Sequence, residues 1–253
     1  MWRLFSSQKE CPVGPEMRKW VDGRFAWLEE QFGRDVPRKV NVVLPTPEFF
    51  PDPFQGQPED VPPMLVRVCS YLGVDPARFK LFLYSEAKAP QGIGHSIRSG
   101  AAGVYIHGDG PNADGDSRAS IGIESSQLSD PTRLVATLAH EVGHELLLGQ
   151  KRISREEPDH EPLTDLLTVF FGLGIFGGNA TIRDSGWTQG GWTGWRTNRV
   201  GYLDQRTFGY ALARFAWARN ETRPAWIKHV RPDVRSPLTQ GLRFLESQPP
   251  GVG

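Results

Sequence analysis

The chain has 253 residues, 38% hydrophobic and 23% charged, enough to bury a sizeable core in one domain or two small ones. Its 29 Lys and Arg balance 29 Asp and Glu, and the formal net charge of +0 argues against nucleic acid or an anionic membrane as partner. Cys11 and Cys69 form neither a CxxC pair nor a disulfide framework, which suits a reducing compartment. The chain meets Lys9, Glu10 and Pro12 before any apolar signal-peptide core develops, so the expected location is cytoplasmic.

In chain order, residues 16–32 place Trp20, Phe25, Trp27 and Leu28 near helical spacing before Gly33, predicting a first amphipathic helix. Residues 39–44 read as a strand and the Pro-rich 45–58 as a loop. Residues 61–72 read as a helix closed by Gly73, and 79–84 as a strand. Two further strand-like runs, 103–108 and 120–124, flank a stretch of turn chemistry at 109–116 and predict a hairpin. The Asp and Asn residues of that turn lack the spacing of a calcium loop. The apolar run 166–176 is shorter than the ~20 residues of a membrane span and follows Asp165, so a buried helix is expected and no membrane span. Residues 186–195 carry three of the eight Trp among Gly and Thr, a composition unfit for a regular helix and expected to form a substrate-facing loop or lid. Residues 208–217 read as another helix, whose aromatics, Tyr210 among them, are expected in the helical core.

The segment 129–149 has a start, a period and a stop. Asp130 can cap the first free N–H groups, Pro131 suits the first helical position and Gly149 can end the helix. Leu134, Leu138, Val142 and Leu146 form an apolar stripe, while His140 and His144, one turn apart, share another face. Two imidazoles at that spacing can reach one zinc ion at about 2.0–2.1 Å, with Glu141 beside them as general base for an activated water. The motif is His140-Glu141-x-x-His144.

A catalytic zinc site needs a third protein ligand. In the stretch from Pro158 to Asp165, Asp159 can cap a new helix that puts Glu161 and Asp165 on one face at i, i+4. Glu161 is the candidate third ligand and Asp165 the candidate that orients a histidine, with His160 and Asp159 as rivals for the third position. A helix bearing HExxH followed by one bearing ExxxD, here with sixteen residues between His144 and Glu161, resembles the gluzincin branch of the zincin metallopeptidases. The resemblance spans about 119–177. The metzincin pattern is not met, because Leu147 and Gln150 stand where it needs glycine and histidine.

The resemblance implies one Zn2+ per chain held by His140, His144 and Glu161, with Asp165 hydrogen-bonded to a ligand histidine. It also implies that the strand before the active helix, 120–124, is a sheet edge that pairs with an extended peptide substrate. Glu141 then takes a proton from water and returns it to the leaving amine. His160, Tyr202, Tyr210 and His229 are the candidates for binding substrate or the developing oxyanion. The expected fold is α+β and zincin-like: an N-terminal part, 1–149, with a small mixed sheet and the HExxH helix, and a mostly helical part, 150–253, with the third ligand. The expected partner is a peptide or protein substrate. A zinc-binding regulatory or protein-interaction module without hydrolysis is the alternative, and a hydrolase of other amides, such as a peptidoglycan stem, a third. No residue pattern bears on oligomeric state.

Overall fold

A computed structural model describes residues 9–85, 102–107, 118–180 and 201–248, and the backbone of 183–189 and 192–198. The predicted turn at 109–116 and the first eight residues lie outside these. The architecture is α+β, a small mixed sheet embedded among helices. Helix α1 (Pro15–Phe32) buries Val21, Phe25 and Leu28 and ends at Gly33 as expected. Helix α3 (Val61–Leu72) buries its apolar face and stops at Gly73, whose φ of 69° is the left-handed conformation that glycine adopts without strain.

Between them the expected strand at 39–44 does not form. Val36–Lys39 is one helical turn, α2, and Val43 N–H bonds to the Gly172 carbonyl instead of joining a ladder. Val43 is buried all the same, so its apolar side chain serves the core without a strand partner.

The sheet holds β1 (Phe79–Tyr84), β2 (Gly103–Ile106) and β3 (Ala119–Glu124) in the order β1-β3-β2. β2 and β3 pair antiparallel, as the hairpin expectation has it, with Tyr105 opposite Ile121; β1 pairs parallel with β3. The segment expected at the edge is therefore the central strand. Ile121 and Ile123 of β3 are fully buried, and among the described residues β2 takes the edge, because a strand paired on both sides has no free backbone to offer.

Helix α4 (Pro131–His144) crosses beside this sheet. Asp130 Oδ1 accepts from Arg133 N–H at 3.1 Å, and Leu134, Leu138 and Val142 are fully buried, each burial contributing roughly 1.5–3 kcal/mol. The last predicted turn of this helix widens into a π-turn, Glu145–Gly149. Helix α5 (His160–Phe170) packs on α4 and α1, breaks at Gly172, and is followed by α6 (Gly174–Ala180). The run 166–176 is thus two buried pieces, and no helix among the described residues is long and apolar enough to cross a membrane.

The Trp-containing stretch read as a loop is a two-stranded antiparallel hairpin, β4 (Arg183–Gln189) with β5 (Trp192–Asn198); its side chains lie outside the described residues. Helices α7 (Gln205–Ala218) and α8 (Pro232–Glu246) close the chain and pack on each other.

Candidate metal centre

The centre forms where α4 and α5 touch. Gly143 makes the approach possible: a Cβ there would lie 2.9 Å from Thr164 Cγ2, so any side chain would push the helices apart. The N-terminus of α5 is moored from α1. Asp159 is the capping residue by position, but its side chain does not cap the helix. It accepts Arg24 through a fork of 2.6 and 2.7 Å and Trp20 Nε1 at 2.7 Å, which corrects the expected cap and removes Asp159 as a rival ligand.

His140 Nε2 lies 3.0 Å and His144 Nε2 3.3 Å from the same oxygen, Glu161 Oε2. The other ring nitrogens fix the tautomers. His140 Nδ1 donates to Asp165 Oδ1 at 2.8 Å. Thr164 Oγ1 donates to the His160 carbonyl at 2.8 Å, so it accepts from His144 Nδ1 at 3.3 Å. Both Nε2 atoms therefore face one point together with a carboxylate oxygen. Ligand atoms of His140, His144 and Glu161 all lie within 4.8 Å of one another, close enough to hold one metal ion, and two imidazoles with a carboxylate are a donor set that zinc accepts.

Asp165 does more than orient His140. Its Oδ2 accepts the peptide N–H groups of Tyr202 at 2.6 Å and Leu203 at 3.0 Å, which brings the chain before α7 to the site. The Tyr202 ring, 42% exposed, lies nearly parallel to that of His140 with centroids 5.7 Å apart. His160 donates Nδ1–H to the Glu157 carbonyl at 2.8 Å, leaving Nε2 at 3.4 Å from Glu161 Oε1. The remaining sequence candidates do not belong here. Tyr210 is fully buried with its hydroxyl on Asp22, because helix α7 turns that face into the core. His229 sits in the turn before α8, where its carbonyl accepts from Asn179.

The charges at the site are set by burial against pairing. At His140 burial favours the neutral ring, but the hydrogen bonds to Asp165 and Glu161 prevail and raise its pKa well above 6.5. At His144 burial prevails, and with the positive His140 nearby the pKa falls to about 4. Burial opposes ionisation of Glu161, yet the hydrogen bond from His140 and the contact with the His144 ring hold it well below the usual carboxylate range. Glu141, 5% exposed, is pushed up to about 7, chiefly by burial. In the metal-free protein a proton on His140 Nε2 thus occupies the lone pair that a metal takes, so metal affinity should rise with pH.

Sequence reasoning missed Gly103, Tyr105, Glu145 and Thr164. A Cβ at Gly103 would lie 2.6 Å from Glu141 Oε1, so this glycine leaves the room in which the carboxyl group sits. The alternation Gly103-x-Tyr105-x-His107 on one strand, and the acid directly after the second histidine, were the available signals. The chain matches no family model, no curated protein and no solved structure, so the reading of this centre rests on its own residues and their geometry.

Proposed function

We propose that this chain is a zinc-dependent hydrolase of peptide bonds on a zincin-like, gluzincin-type arrangement. The observation that carries the reading is the convergence of His140 Nε2, His144 Nε2 and a Glu161 oxygen on one point, with a buried Glu141 next to it in sequence. His140, His144 and Glu161 would hold the ion, which when bound supplies an activated water and polarises the scissile carbonyl.

The protein's own residues supply the rest. A carboxylate whose pKa is lifted to about 7 can take a proton and give it back near neutral pH, the property required of a general base that later protonates the leaving amine. Asp165 holds the His140 ring in the tautomer that presents Nε2. The edge of β2, unpaired on its outer side among the described residues, can accept an extended peptide backbone next to Glu141. Tyr202 and His160 flank the site and are the groups that can touch bound substrate.

Elemental analysis of the full chain after zinc reconstitution should give one zinc per chain. Cleavage of an unstructured peptide library should stop with a chelator and return with zinc. Protein that takes up no zinc would overturn the reading, as would cleavage that persists in metal-free protein.

A further inference from the structure

Glu145 follows the second histidine directly, is 2% exposed, and has no part in the chemistry above. A carboxylate that deep is costly unless its oxygens are matched. Both are. Oε2 accepts the Tyr105 hydroxyl at 2.6 Å, and Oε1 accepts Arg78 Nε at 2.9 Å and also Arg78 Nη2. Arg78 ends the 3-10 turn Pro76–Arg78 that leads into β1, and Tyr105 stands in the middle of β2. One side chain at the start of the π-turn therefore holds both the entrance to β1 and the edge strand.

The odd-numbered residues of β2 ride on the HExxH helix. Gly103 is against Glu141, and the Tyr105 ring packs on that of His144 with centroids 5.8 Å apart. The single hydroxyl proton of Tyr105 goes to Glu145, so the same oxygen accepts from His107 Nδ1 at 3.2 Å. The strand is thus tied to the helix at Tyr105, between its glycine contact and His107.

We propose that Tyr105 and Glu145 form a clamp that fixes the edge strand β2 on the metal-bearing helix, with Tyr105 a positioning residue for the peptide-binding edge. The clamp stands on contacts within this chain; its effect on substrate rests on the hydrolase reading above.

Tyr105→Phe in the full chain tests it, because the substitution removes one oxygen and keeps the ring on His144. Zinc stoichiometry should be unchanged. Amide hydrogen exchange at 103–106 should quicken on the order of tenfold, while the amides of α3 and α8 keep their wild-type rates. In the cleaving enzyme, KM for an extended peptide should rise by a similar factor with kcat little changed. Glu145→Gln, which weakens the same hydrogen bonds from the helix side, should quicken exchange at the same residues.

Wild-type exchange at 103–106 in Tyr105→Phe overturns the clamp, as does a rise shared equally by α8, which marks general destabilisation. Quickened exchange with an unchanged KM overturns the link to substrate. If the wild-type protein cleaves nothing, the hydrolase reading fails on its own account and the exchange rates still decide the clamp.

Discussion

Glu161→Ala will lose its metal while the helices remain folded. Among the described residues Glu161 is the one whose carboxylate touches both Nε2 atoms, at 3.0 and 3.3 Å, so its removal leaves two imidazoles where zinc needs three protein donors. Side-chain truncation at the half-buried start of α5 opens no cavity in the apolar core, whose nearest contribution from that helix is Leu163. Elemental analysis after dialysis against a mild chelator should read one zinc in wild type and none in Glu161→Ala or His144→Ala. Asp165→Asn should sit between these, with affinity reduced about 10–100-fold, because it touches a ligand instead of the ion. Zinc retained by Glu161→Ala would move the third donor to His160, whose Nε2 is 3.4 Å from the carboxylate that was removed. The double variant with His160→Ala would then be the one to lose metal.

Glu141→Gln should keep its zinc and lose hydrolysis by about 10²- to 10⁴-fold, the usual contribution of a positioned general base. The amide is nearly isosteric with the protonated acid but cannot exchange a proton with water or a leaving amine. Unchanged biological activity in this variant, in a protein that binds zinc and cleaves nothing, would favour the non-hydrolytic zinc module.

The same substitution has a second effect, in the metal-free protein. Glu141 ionises at about 7 when folded against 4.5 when free, because burial penalises its charged form. A group with a raised folded pKa contributes stability that is complete below its unfolded value and is lost as pH climbs through the folded one. Metal-free wild type and Glu141→Gln should therefore unfold alike near pH 4. At pH 8 the variant should be the more stable, by on the order of 3 kcal/mol. Urea titrations at the two pH values check it, and equal stability at pH 8 would show that the buried carboxyl group ionises without penalty.

The parts of this molecule that were legible before any coordinates are those governed by neighbours in sequence. The helices at 15–32, 61–72 and 131–144 follow from apolar spacing and end residues such as Asp130 and Gly73, whose effects act within a turn or two of chain. The two histidines share a face because four residues make one helical turn, and Glu161 and Asp165 share one for the same reason. That much named the three residues, His140, His144 and Glu161, that the structure brings together, and proposed Asp165 as the partner of a histidine.

Tertiary contact decided the rest. Which strand is the edge depends on what pairs with β3 on each side, and pairing partners lie far apart in the chain, so β2 took the place expected of 120–124. Val43 had the pattern of a strand and found a single carbonyl, that of Gly172. Asp159 had the position of a cap and was claimed by Arg24 and Trp20 of α1. Tyr210, expected in the core from its place in a helix, is buried there, whereas only the tertiary fold laid Tyr202 on the His140 ring. A short-range pattern names the chemistry that a segment can offer. Long-range packing, in which burial and pairing must be satisfied for every segment at once, selects which of those offers meet at one point.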